Sequence, residues 1–334
     1  MFKAFIAGCA GLALSGEERA FFAEARPWGL ILFRRNVESP AQVAALTADF
    51  RSIVGAEAAV LVDQEGGRVQ RLREPHWPVY PAAARFGLAP DGEALAELSA
   101  RLMAADLLAL GIDVDCLPVL DTPIEGAHDV IGDRAYARDP HDVARLGAAA
   151  ARGLMRGGVM PVMKHIPGHG RAFSDSHLEL PVVSADSAEL ERDFAPFTAN
   201  AGLPAAMTAH VVYQALDPDA PATQSRKVIQ HVVREKIVFD GLLMSDDLSM
   251  KALTGDFRER TKRCFEAGLD LALHCNGDLA EARAVAEAAP ELAGKALARV
   301  LEARALVARE RVRGLQHFDA AEARRKLAAL ALIT

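Results

Sequence analysis

The chain has 334 residues, 51% of them hydrophobic and 25% charged, with a formal net charge of −7. That balance is ordinary for a soluble fold with a large core, and it argues against nucleic acid or an anionic membrane surface as the main partner. No apolar run approaches the roughly 20 residues of a membrane span.

Residues 1–16 combine one lysine, an apolar stretch and small residues, a pattern that can mimic a signal peptide. The charged start is thin, and residues 5–8 read better as a first core strand ending in a Gly-rich turn. Short apolar runs rich in Val, Ile, Leu and Met then recur at 29–33, 59–63, 112–115, 159–164, 205–210, 242–246 and 269–274. They are too short for helices and too continuous for half-exposed strands, so they predict strands buried on both faces. Between them, amphipathic patterns predict helices over 41–54, 91–110, 141–156, 188–200 and 225–238. Strand and helix in alternation imply parallel strands with crossover helices. Eight such units predict a closed (β/α)8 barrel of the TIM type, with a doubly wound sheet as the alternative. From about residue 279 the chain is rich in Ala, Arg, Leu and Glu and predicts extra C-terminal helices packed on the barrel. No linker or later strand-rich segment interrupts it, so residues 1–334 read as one catalytic domain. Cys9, Cys116, Cys264 and Cys275 are scattered, form no CxxC pair and fit a reducing cytoplasm.

The predicted strand ends are polar almost without exception. They carry Arg34 and Asn36, Asp63, Asp115 and Asp121, Lys164 and His165, His210, Asp246 and Asp247, and His274 and Asn276. A strand end meeting water explains one or two such residues. In a barrel all of them face one mouth, where active sites are built. Asp246 closes the apolar strand 242–246, the position from which a barrel presents a nucleophile or a base. Asp247 stands beside it.

Lys164-His165-Ile166-Pro167-Gly168-His169-Gly170 leaves the fifth strand. Its HxxxH spacing would suit zinc only on a helix, and Pro167-Gly168 opposes one. Polar substrate contacts from Lys164 and His165 fit better. Asp175 and His177 follow in a Gly-preceded loop, where a carboxylate can hold one imidazole nitrogen and leave the other to move a proton. The spacing alone is weak evidence for that role. Ser176 lacks the G-x-S-x-G elbow of a serine hydrolase. Asp63 opens the Gly66-Gly67 turn with Arg71 close behind, a pair that reads either as sugar contacts or as a solvated salt bridge. Arg134 sits in a similar Gly132-Asp133-Arg134 loop.

Five ordered motifs resemble glycoside hydrolase family 3, in particular its single-domain bacterial β-N-acetylhexosaminidases, which take N-acetylglucosamine from cell-wall muropeptides during recycling. They are residues 62–69, 131–134, 164–170, 175–177 and 245–250, and the resemblance spans about 30–276. It implies Asp246 as the nucleophile, which leaves Asp247 to bond neighbouring backbone or side chains, and His177 as the acid/base, oriented by Asp175. It implies Asp63, Arg71, Arg134, Lys164 and His165 as substrate contacts. A Glu acid from a second domain, used by some members, has no counterpart here. Arg171, a bulky cation in the loop, is a local departure.

The resulting expectation is a cytoplasmic, retaining exo-β-N-acetylglucosaminidase acting on a small GlcNAc-containing saccharide. It needs no cofactor or metal, binds neither nucleic acid nor membrane, and is a monomer or weak homodimer. A β-N-acetylglucosaminide phosphorylase or a β-glucosidase on the same scaffold is the alternative. A metal-dependent hydrolase using His165, His169 and His210, or a non-catalytic sugar-binding protein, are remoter readings.

Overall fold

Every barrel strand hydrogen-bonds in parallel to its neighbours in sequence, and the last returns to the first. The computed structural model describes residues 1–176, 178–314 and 318–333. The eight barrel strands are β1 (Lys3–Gly8), β2 (Pro27–Leu32), β3 (Ala59–Val62), β4 (Val114–Asp115), β5 (Met160–Ile166), β6 (Ala205–Thr208), β7 (Leu242–Asp247) and β8 (Leu271–His274). Phe5 pairs with Ala272 and Ala7 with His274, which closes the ring between β1 and β8. The expected TIM-type barrel is therefore present. An open doubly wound sheet would have left two strand edges, and this closure removes them.

Helices α1 (Gly16–Ala25), α2 (Pro40–Val54), α3 (Gly92–Leu108), α4 (Pro140–Gly157), α5 (Ser187–Ala199), α6 (Val228–Lys236), α7 (Phe257–Ala267) and α8 (Leu279–Ala288) alternate with the strands. Their ends follow local chemistry. Ser15 and Glu18 form a reciprocal capping box at α1. Pro40 and Pro140 occupy first helical turns, where a missing N–H costs nothing. Helix α6 is wound as a π-helix, shorter than the 225–238 pattern suggested. Two further helices, α9 (Gly294–Gly314) and α10 (Ala320–Ala329), pack on α4 and α3 as the composition of the tail implied. Among the described residues no helix is long and apolar enough to cross a membrane.

The core lies inside the barrel and between barrel and helices. Phe5, Ile6, Leu30 and Ile31 are fully buried, as is Trp28 at the start of β2. Phe22 of α1 meets Phe50 of α2 edge to face at 5.3 Å. All four cysteines are buried and free. Residues 5–8 belong to this core strand, as the sequence suggested.

Two additions shape the mouth. After β3 the chain turns through a small antiparallel hairpin, Gln64–Gly66 against Val69–Gln70. Gly66 has φ +93°, and a Cβ there would lie 2.2 Å from the Pro81 carbonyl oxygen. Only glycine fits that approach. After β5 and β6, Val182–Val183 and Val212–Tyr213 pair in a second short ribbon over the same end.

Candidate active site

Because all eight strands run the same way, their C-terminal ends converge on one opening. A cavity of about 250 Å³ lies there, lined by Asp63, Glu65, Arg71, Arg134, Lys164, His165, His169, Ser176, Asp246 and Asp247 among polar residues. Ile31, Phe33, Met207, Met250 and Leu273 supply its apolar walls. Asp246, half-buried at the end of β7, thus faces the same cavity as every proposed substrate contact. Asp175 does not line it, but its neighbour Ser176 does. His177 lies outside the described residues.

One wall is a chain of alternating charges. Lys164 is buried on β5, with Nζ 2.7 Å from Asp63 Oδ1 and 2.7 Å from Glu65 Oε1. Arg71 donates to the other oxygen of Asp63 at 2.9 Å. Arg134 grips Glu65 with two parallel bonds of 2.8 Å. Burial alone would raise both acids, but the cations outweigh it. Lys164 and Arg71 hold Asp63 well below the usual carboxylate range, and Arg134 with Lys164 hold Glu65 down to about 2. Lys164 in turn is desolvated by burial, yet its two carboxylates keep it above its ordinary value. Asp63 and Arg71 are therefore joined, as the salt-bridge alternative had it, but partly buried at the cavity rather than in open solvent. Arg71 also stacks over the Phe33 ring at 4.9 Å.

Another part of the lining is built on histidines. Asp121 is fully buried and bonds His165 Nδ1 through Oδ2 at 2.6 Å. Its Oδ1 accepts from the His169 backbone N–H at 2.6 Å. Burial pushes Asp121 up, but His165 and these bonds draw it down to about 2. His169 Nε2 meets Ser176 Oγ at 3.3 Å, and burial pulls the His169 imidazole down to about 4. Residues 165–169 run from strand to turn, not helix, as Pro167-Gly168 implied. His210 has both ring nitrogens engaged, by Thr223 Oγ1 and the Asp247 carbonyl. Among the described residues, no three His, Cys, Asp or Glu side chains converge as a metal would need.

Several strand-end residues brace the mouth. Asp247 accepts from the Ser249 and Cys275 N–H groups at 3.0 Å each, as expected of it. Asp115 accepts from the Gln64 N–H at 2.9 Å and steadies the hairpin. Asn36 donates to the Cys9 and Gly11 carbonyls, and His274 binds Glu281. Glu65 and Asp121 are the two site residues that the sequence reading did not single out. Glu65 stood in the quoted 62–69 motif, and Asp121 stood among the polar strand ends. Neither signal told which partner it would meet.

A family model described as the glycosyl hydrolase family 3 N terminal domain matches residues 10–310. The chain belongs to glycosyl hydrolase family 3. It is an enzyme of the glycoside hydrolase class, and it is similar to β-hexosaminidases. One from Methylococcus capsulatus is 44% identical over 275 residues, 80% of either chain. The crystal structure of native NagZ from Neisseria gonorrhoeae superposes with a TM-score of 0.77 at 34% identity, covering 92% of this chain and 98% of that one. A family 3 β-N-acetylglucosaminidase from Paenibacillus sp. str. FPU-7 gives 0.83 at 33% identity, covering 95% of this chain but only 62% of that longer one.

Proposed function

We propose that this chain is a retaining exo-β-N-acetylglucosaminidase that releases terminal N-acetylglucosamine from peptidoglycan-derived muropeptides in the cytoplasm, as a single catalytic domain. The observation that carries the chemistry is Asp246. It ends an apolar barrel strand and opens into a cavity where Asp63 and Glu65 are each paired with cations and Asp247 accepts from the Ser249 and Cys275 N–H groups. Asp246 accepts from the Asp247 N–H at 2.7 Å, which orients the carboxylate at the strand end.

In this reading Asp246 attacks the anomeric carbon while His177, oriented by Asp175, protonates the departing oxygen. The C–O bond to the leaving group breaks as the glycosyl ester forms. Water, deprotonated by His177, then attacks the same carbon and frees Asp246. Negative charge beside the anomeric carbon stabilises the oxocarbenium-like transition state. Asp63, Arg71, Arg134, Lys164 and His165 would hold the sugar hydroxyls. Their mutual bonds preorganise the wall, so little ordering remains to be done on binding. A cavity of about 250 Å³ suits one sugar ring, which supports removal of single terminal residues.

Phosphorolysis is not favoured. The three cations of the wall already face Asp63 and Glu65, and Asp246 and Asp247 add negative charge to the same cavity. A phosphate dianion would enter against that field.

The test is hydrolysis of aryl β-N-acetylglucosaminide and aryl β-glucoside by the wild type and Asp246→Asn, without added metal. Cleavage of the N-acetyl substrate alone, lost in the variant, is expected. Preference for the glucoside would replace the substrate assignment, and substantial turnover by Asp246→Asn would remove the nucleophile.

A further inference from the structure

Arg171 is a long cation in an active-site loop, yet it is buried. Its Nε donates to Asp193 Oδ2 at 2.6 Å, and its two terminal nitrogens reach the Glu189 carboxylate and carbonyl at 3.2 and 3.1 Å. Both acids lie on α5, four residues apart and so on one face. Glu189 is also the capping residue of that helix, accepting from the Asp186 N–H with its other oxygen at 3.1 Å. The guanidinium therefore docks the loop onto the first turns of a helix that is itself fixed.

The chain on either side of Arg171 is pinned as closely. Tyr213 donates to the Gly168 carbonyl at 2.6 Å, and the Ile124 and His128 N–H groups donate to the carbonyls of Gly170 and Ala172. A Cβ on Gly170 would lie 2.0 Å from the Thr122 carbonyl oxygen, so the two segments lie in close contact. One residue later this changes. The Phe173 side chain is 65% exposed, and the chain is held again where the Asp175 carbonyl accepts from the Leu178 and Glu179 N–H groups and buried Ser176 meets His169 Nε2. Asp175 thus follows Arg171 by four residues in the same loop.

We propose that Arg171 is a positioning residue. Its ion pairs with Asp193 and Glu189 set the starting point of the loop that carries Asp175, and so place the acid/base pair at the leaving-group oxygen. This rests on the acid/base reading given above. Arg171 itself lies outside the cavity lining.

A leaving group that departs as a stable anion needs no proton, while a poor one does. The first chemical step, read as kcat/KM, is therefore compared for the 2,4-dinitrophenyl and phenyl β-N-acetylglucosaminides in Arg171→Ala, Arg171→Lys and Glu189→Gln. His177→Ala serves as the reference. Misplacement of a catalytic group by about an ångström costs about 10²-fold, so Arg171→Ala is expected to lose about 10- to 100-fold on the phenyl substrate. On the dinitrophenyl substrate it should lose little. Arg171→Lys keeps the charge without the fork and should recover part of the loss. Glu189→Gln keeps the helix cap on a half-exposed side chain and should show a smaller loss of the same kind, which carries the test should Arg171→Ala not fold.

A merely structural role would reduce both substrates alike, and that outcome, or no loss at all, refutes the proposal. Where His177→Ala discriminates the two leaving groups and the Arg171 and Glu189 variants do not, only the positioning role falls. Where His177→Ala treats both alike, the acid/base reading falls and this inference with it.

Discussion

His165 presents Nδ1 to Asp121 Oδ2 at 2.6 Å in the buried wall of the cavity. A carboxylate accepts only, so this contact puts the proton on Nδ1 and leaves the other ring nitrogen for the cavity. Asp121→Asn should keep the backbone bonds made by Oδ1 while placing an NH2 opposite Nδ1. The imidazole must then take the other tautomer. Loss of one charge-assisted bond is worth about 1.5–3 kcal/mol, so kcat/KM should fall by roughly 10- to 100-fold with the fold intact. Nitrogen NMR of the His165 ring, alongside kinetics, checks it. An unchanged tautomer would separate Asp121 from this role.

The loop pair makes a different kind of prediction. General acid/base assistance contributes about 10²–10⁴-fold, so Asp175→Ala should lose within that range on a poor leaving group and far less on an activated one. It should also resemble His177→Ala in its pH profile, since both remove the same proton transfer. An Asp175→Ala enzyme with wild-type kinetics on the phenyl substrate would dissolve the pair.

Stability should depend on pH in two separate windows. His169 is held down to about 4 by burial, against 6.5 when unfolded. Between those values the unfolded chain binds the proton and the folded one does not, so stability is full above pH 6.5 and is lost as pH falls towards 4. Burial lowers His210 as well, in the same sense. Glu65 and Asp121 are held down to about 2 by their cationic and hydrogen-bond partners, so their contribution is lost below about pH 4.5, as pH falls towards 2. For His169 the first window is worth about 2–4 kcal/mol. Urea unfolding at pH 7, 5 and 3 should show both losses. In His169→Gln the fall between pH 7 and 5 should be clearly smaller while the lower one persists. An identical slope in the variant would mean that His169 is not held neutral.

The barrel was legible because its strands are short, continuous and apolar, and each is followed by a polar residue where the chain meets the mouth. Residues 242–247 show both features in six positions. Helices α1 and α7 were not legible. In α7 only Thr261, Cys264 and Ala267 are buried, and a stripe that small and polar leaves no clear period. Strand β4 covers only Val114–Asp115 of the 112–115 run, and beyond it the chain meets β5 at a lone bridge between Val119 and Lys164. The site divides in the same way. Asp246 and Lys164 announce themselves by ending or crossing apolar runs. Glu65 reads as a turn residue until ring closure brings it beside Lys164, and Arg171 reads as a loop cation until α5 supplies Glu189 and Asp193. Pairings between distant segments carry no local signal, so these roles follow only from the folded chain.

Lys164 gives the sharpest test of that closure. It stands between buried Glu65 and partly buried Asp63, and its own side chain is 2% exposed. Met has nearly the same length and fits the channel, so Lys164→Met removes the charge without opening a cavity. Asp63 then keeps Arg71, and Glu65 keeps Arg134, but the two carboxylates face each other with nothing between. Breaking a buried ion pair from one side costs about 3–5 kcal/mol, and urea denaturation at pH 7 should register a loss of that size. The deficit should shrink towards pH 4. There the carboxylates, released from Lys164, take up a proton that the wild type refuses, so the variant gains relative to it as pH falls. A loss below about 1 kcal/mol at pH 7 would place this lysine among exposed surface pairs instead.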